Sequence, residues 1–213
     1  KLNLSMIIIQ HRVNNLEDYK KVPFPHGIEV DVRYHENNLI LNHDPFDHHT
    51  KKNIKLLDLL KKWSNKGPLV LNLKSEGIED VCIEAMRKYK IKNWFFLDMS
   101  MPYFVNYAEK AFNKRIKYFS PDNLAVRFSD KEPIEYALSF QNKATWVWVD
   151  YFKEFPLNMK NYLLLKRKNF KICLVSPEIQ KNPILKETEL VKMCSHFIID
   201  AVCTRKPELW IKS

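Results

Sequence analysis

In GIEVDVRY, residues 27–34, apolar and charged side chains alternate. Successive side chains of a strand point to opposite faces, so Ile28, Val30 and Val32 share one face, while Glu29 and Asp31 share the other with Cα atoms about 7 Å apart. Two acids side by side in a closed interior repel strongly unless a cation lies between them, and oxygen donors of this kind suit Mg²⁺ or Ca²⁺. On a solvent-facing edge strand they would need no cation.

Runs of the same kind recur on both sides of this one: MIIIQH (6–11), PLVLNLKS (68–75), NWFFLD (93–98), IKYFS (116–120), TWVWVD (145–150), KICLVS (171–176) and FIIDAVCT (197–204), eight candidate strands in all. Amphipathic stretches separate them, beginning near residues 54, 78, 102, 134, 158 and 184; in the first, Leu56, Leu57, Leu59, Leu60 and Trp63 gather on one side, as a helix packed on a sheet requires. Strands alternating with helical returns predict an α/β chain folded as a single (β/α)8 barrel over residues 1–213, with room for irregularity but none for a large insertion domain. LILNHD (39–44) reads as an added strand paired with residues 27–34 through the turn ENN. A doubly wound open sheet is the alternative, but the sequence has no glycine-rich nucleotide loop and only 3 glycines.

The 213 residues, 46% of them hydrophobic and 13% aromatic, exclude disordered and fibrous classes. A formal charge of +10 favours anionic ligands, acidic partners or an anionic surface. No zinc-finger, helix-turn-helix or RNA-binding signature accompanies it, so a nucleic-acid partner is not expected. The four cysteines, Cys82, Cys173, Cys194 and Cys203, lack metal-type spacing and read as reduced core thiols. The apolar run at residues 6–9 is too short for a signal-peptide core and nothing approaches a membrane span, which predicts a cytoplasmic protein without a transmembrane segment.

The C-terminal ends of barrel strands carry the chemistry of this architecture. His11 and Arg12 close the first strand, where a guanidinium suits a phosphate and an imidazole exchanges protons near neutral pH. His43 stands where LILN breaks into a loop. In VLNLK, Asn72 and Lys74 share the inward face, and a buried lysine requires an acid partner or an anionic substrate such as phosphate. Trp146, Trp148 and Asp150 form another inward set; the indoles either wall a pocket, with Trp148 and Asp150 nearest the mouth, or simply pack the core.

The ordered series His11-Arg12, Glu29-x-Asp31-Val32, His43-Asp44 and Asn72-x-Lys74, followed by DAVCTRKPELW (200–210), resembles the glycerophosphodiester phosphodiesterase family of (β/α)8 barrels and the related sphingomyelinase D-type phospholipases. The resemblance implies metal-assisted cleavage of a small phosphodiester. It implies His11 and His43 as the acid and base, Arg12 and Lys74 as phosphate-binding groups, and Glu29, Asp31 and Asn72 as ligands of Mg²⁺ or Ca²⁺. Three departures stand out. Val13 replaces the glycine usual after His-Arg, with Asn15 as the nearest counterpart of the asparagine that follows. Asn72 replaces an acid, removing one negative charge from the ligand set. The stretch from Pro45 to Pro68 is too short for the helical insertion typical of these enzymes. Two other classes stand beside the enzyme: a barrel that has lost catalysis and binds a phosphate-containing ligand, and a basic polyanion-binding protein.

Overall fold

The computed structural model describes residues 6–45, 53–64, 67–180 and 185–211. Its strands are β1 (Ile7–Gln10), β2 (Gly27–His35), β3 (Asn38–Leu41), β4 (Leu69–Leu73), β5 (Trp94–Leu97), β6 (Ala125–Phe128), β7 (Trp146–Val149), β8 (Lys171–Val175) and β9 (Ala201–Thr204). The helices are α1 (Leu16–Lys21), α2 (Leu56–Leu60), α3 (Glu79–Lys88), α4 (Met101–Phe112), α5 (Ile134–Leu138), α6 (Met159–Arg167), α7 (Glu187–Cys194) and α8 (Glu208–Ile211). Eight strands run parallel in the spatial order β5-β4-β2-β1-β9-β8-β7-β6, and β3 pairs antiparallel with the outer half of β2. A single parallel bridge between Phe96 and Leu124 joins the two ends of this path, reinforced by Asn123, whose side-chain amide donates to the Trp94 carbonyl at 2.9 Å. The fold is a single (β/α)8 barrel.

The two faces of each strand explain the two cores. Outward-facing Ile28, Val30, Val32, Leu69, Leu71 and Val147 pack beneath the helices in one large cluster. Inward-facing Ile9, Val70, Phe95, Trp146, Trp148, Cys173 and Cys203 fill the barrel in a second, smaller cluster, with Phe95 and Trp146 stacked at 5.0 Å between ring centroids. Each Trp supplies far more buried surface than a β-branched residue, so the two indoles close off the lower barrel. The four cysteines are buried and free, as their placement in apolar patterns predicts. Among the described residues, no helix is long and apolar enough to cross a membrane.

One sequence expectation needs correction. IKYFS (116–120) is not a strand: Tyr118 takes a left-handed φ of 65°, and the segment is a turn that anchors Phe119 beneath the barrel. The sixth strand is instead β6, whose inward Arg127 interrupts the apolar run that would have marked it. The stretch after Val13 also forms a helix, α1, capped by Asn15, whose side-chain oxygen accepts from the Asp18 N–H at 2.8 Å.

Gly27 opens β2 where the chain of residue 68 crosses closely; a Cβ at this position would lie 2.4 Å from the Pro68 carbonyl oxygen. Backbone cannot yield there as a flexible side chain would. Gly27→Ala is therefore expected to destabilise the barrel by about 1–3 kcal/mol, read as a lower urea midpoint with an unchanged slope.

Candidate active site

The polar inward positions gather at the C-terminal mouth. β2 places Glu29 and Asp31 there almost wholly buried, at 0% and 1% exposure. The neighbouring strand, β1, ends, and the chain turns through Arg12 at φ 55°, a conformation that costs a non-glycine residue about 1–2 kcal/mol. That turn aims the Arg12 N–H at Glu29 Oε2, 2.6 Å away, and leaves its Nε 3.5 Å from Asp31 Oδ2. The second Glu29 oxygen accepts from Asn72 Nδ2 at 2.8 Å. Burial, then the neighbouring Asp31 charge, push the Glu29 carboxyl above the ordinary range, and these two donors only partly offset the rise.

Asp31 is held from both sides. Asn14 donates from Nδ2 to Asp31 Oδ2 and accepts the Asp31 N–H at Oδ1, both at 2.8 Å. Lys74, at the end of β4, sits 3.7 Å from Asp31 Oδ1 and 3.2 Å from Asp98 Oδ2, which answers the requirement for an acid partner to an inward lysine. Asn14, rather than Asn15, is thus the asparagine that faces the site.

His11 lies between Glu29 and Arg205. Its Nε2 is 3.8 Å from Glu29 Oε2, and its Nδ1 accepts from Arg205 Nε at 3.2 Å, so the ring proton resides on Nε2. Burial, followed by the charges of Arg205 and Arg12, drives its pKa down to about 3 and keeps the ring neutral. Glu178 fixes the Arg205 backbone by accepting its N–H at 2.8 Å, and it also accepts from Thr204 Oγ1 at 2.5 Å and from Ser176. His43 stands at the rim, its Nδ1 2.8 Å from Asp44 Oδ1. Arg33 ties this loop to the strand ends by donating to the His43 carbonyl at 2.8 Å and to the Lys74 carbonyl at 3.0 Å. The added β2–β3 hairpin therefore positions the second histidine.

The far side of the mouth is a chain of ion pairs. Arg127 donates to Asp98 Oδ1 and Asp150 Oδ2, each at 2.8 Å, and its Nε lies 3.0 Å from Glu132 Oε1. Burial pushes the Asp98 carboxyl up, but the Arg127 and Lys74 charges outweigh it and hold the group below its ordinary range. Asp150, also bonded by Gln180 at 2.5 Å and by the Tyr151 N–H at 2.8 Å, is pushed upward because burial prevails over Arg127. Trp148 lies below it in the packed interior, 4% exposed.

Asp98, Arg127, Glu178 and Arg205 were not singled out by the sequence, although three of them carry a usable signal. Asp98 follows WFFL, Arg205 follows AVCT, and Glu178 lies three residues past KICLV, so each is a charge at the end of an apolar run. Arg127 was hidden with its strand.

The oxygen donors around Asn72 bear on the metal implied by the motif order. Asn72 is 8% exposed and its Oδ1 has no hydrogen-bond partner among the described residues, while its amide nitrogen faces Glu29. A buried unpartnered carbonyl oxygen beside two carboxylates is a donor set that fits a hard cation. No cluster of three His, Cys, Asp or Glu is arranged for a metal among the described residues, because the third position here is an amide.

No family model matches the sequence, and no curated protein matches it significantly. Solved structures do. A glycerophosphoryl diester phosphodiesterase from Parabacteroides distasonis superposes with a TM-score of 0.67 at 10% identity, covering 98% of this chain and 86% of that one. A glycerophosphodiester phosphodiesterase from Agrobacterium tumefaciens gives 0.65 at 11% identity, covering 97% of this chain and 100% of that one. The chain shares the fold of glycerophosphodiester phosphodiesterases.

Removing Arg127 leaves Asp98 and Asp150 without their shared cation. Because the guanidinium side chain is 22% exposed, Arg127→Met is expected to cost about 2–4 kcal/mol, at or below the figure for breaking a fully buried pair, and denaturant titration measures it.

Proposed function

We propose that the protein is a phosphoric diester hydrolase that cleaves a small glycerophosphodiester-like substrate at this mouth. The observation that carries the reading is a buried Glu29–Asp31 pair flanked by Arg12 and Lys74, with His11 from the end of β1 beside Glu29 and His43 near enough for its charge to act on His11, in a barrel shared with enzymes of that activity.

Each residue then has a task that its surroundings allow. Arg12 and Lys74 bind the non-bridging phosphate oxygens and stabilise the charge that develops as the nucleophile adds. His43 holds its Nδ1 proton against Asp44, leaving Nε2 to exchange a proton with an oxygen on phosphorus. His11 is the partner on the opposite side, oriented by Arg205. Held neutral beside Arg205, His11 is the group suited to receive the proton of the attacking hydroxyl, from water or from the substrate itself, and His43 then returns a proton to the departing alkoxide. Glu29, Asp31 and Asn72 would hold Mg²⁺ or Ca²⁺, which supplies Lewis-acid stabilisation of the phosphate charge when bound.

Asn72 also favours a second reading, a barrel that binds a phosphate-containing ligand without turnover. With two carboxylates instead of three, cation affinity falls, and only turnover separates the two readings.

A panel of glycerophosphodiesters, lysophospholipids and bis(p-nitrophenyl) phosphate, assayed with Mg²⁺, Ca²⁺ and chelator, tests the proposal. His11→Ala and His43→Ala are each expected to lower kcat by about 10²–10⁴ at an unchanged melting temperature. Full activity in both variants would remove the histidines from the mechanism. Asn72→Asp is expected to tighten divalent-cation binding in isothermal titration, since a third anion strengthens the attraction; unchanged or weaker affinity would place Asn72 outside the ligand set.

A further inference from the structure

The seam where the barrel is closed by one bridge has a second consequence at the opposite end of the molecule. Beneath it, between the C-terminal ends of α3 and α4 and the turn that replaces the expected strand, lies a cavity of about 930 Å³. That is the size of a pocket for an organic ligand rather than for an ion. Its floor is apolar, made by Met86, Ile91, Trp94, Ile116 and Phe119. Its rim is basic: Arg87, Lys90, Lys92, Lys114 and Lys117 face one acid, Asp122.

The charges at this rim are poorly matched from within the protein. Arg87 pairs with Glu84, and Asp122 accepts from Thr145 Oγ1 at 2.8 Å. Lys90, Lys92 and Lys114 make no ion pair among the described residues, and Lys117 meets only the Tyr118 ring, 5.1 Å from its centroid. A cation just past a helix C-terminus offsets the helix dipole, which accounts for Lys90 after α3 and Lys114 after α4. It does not account for Lys92 or Lys117, which lie beyond both helices. Self-repulsion among four lysines around an apolar hollow is relieved by an anion, and the hollow itself by an alkyl chain.

We infer that this cavity binds a single monomeric amphiphile, its alkyl chain lying along the Ile91–Trp94–Ile116–Phe119 floor and its anionic headgroup held by Lys92, Lys114 and Lys117. The site is at the N-terminal end of the strands, away from the catalytic mouth, and does not depend on the proposed activity.

Isothermal titration of the full chain with dodecyl phosphate below its critical micelle concentration tests this, with dodecyl maltoside, inorganic phosphate and anionic phospholipid vesicles as comparison probes. Saturable 1:1 binding of dodecyl phosphate is expected, weakened about tenfold or more by the double variant Lys114→Glu, Lys117→Glu, whose exposed positions leave the fold intact. Ile116→Asp, changing the floor alone, is expected to weaken binding to a similar degree. Equal binding of dodecyl maltoside would overturn the inference by removing the charge from recognition, and equal binding of inorganic phosphate would remove the chain. Binding to vesicles but not to the monomer would assign the surface to a bilayer instead. Dodecyl phosphate binding unaffected by the lysine and Ile116 variants would place the ligand outside this cavity and likewise overturn it.

Discussion

A fully buried carboxylate, that of Glu29, sets the terms for the rest of the barrel mouth. Removing an ionised group from water is expensive, and a second acid two residues along the same strand face makes it more so. The surrounding structure answers with the Arg12 N–H, obtained by turning the chain through a left-handed residue, and with the Asn72 amide. Asp31 next to it is met by Asn14, Arg12 and Lys74. A fold selected for stability alone would fill these positions with the valine, phenylalanine and cysteine that occupy the layer below. Two acids kept there at that cost mark the mouth as a site for function rather than for stability.

Charge alternates from this pair around the rim. Asp31 leads to Lys74, Lys74 to Asp98, Asp98 to Arg127, and Arg127 to Asp150. On the other side Glu29 leads through His11 to Arg205, whose backbone is fixed by Glu178. Each partner limits the side-chain freedom of the next, so the groups at the mouth hold one another in place. The network also links strands that the sheet joins weakly. Asp98 follows β5 and Arg127 lies in β6, the two strands connected by only one bridge, so their ion pair fastens the upper end of the seam.

Much of this was legible in the sequence because strand periodicity is local. The alternation in GIEVDVRY put Glu29 and Asp31 on one face and Ile28, Val30 and Val32 on the other without any knowledge of neighbours, leaving only which face is the interior to the fold, and the turn ENN placed the added hairpin. What stayed hidden depends on partners distant in the chain. Arg127 in AVRF looks like a poor strand residue until Asp98 and Asp150, just past the ends of the flanking strands β5 and β7, compensate its charge. IKYFS looks like a good strand, yet its aromatic and β-branched residues anchor a turn over a cavity. Asn14 and Asn15 could not be told apart by composition; only the geometry of the turn after β1 gives one to Asp31 and the other to the helix cap.

We propose that the buried acid pair is kept for cleavage of a phosphodiester. Turnover of bis(p-nitrophenyl) phosphate by the wild type and by Asp31→Asn, measured with Mg²⁺ or Ca²⁺ and with thermal melts of both proteins in parallel, tests it most directly. Measurable turnover by the wild type, lost in a variant that melts at the same temperature or higher, is the result this account predicts. Equal turnover in the two proteins, or none in the wild type with either cation on any diester of the panel, would contradict it.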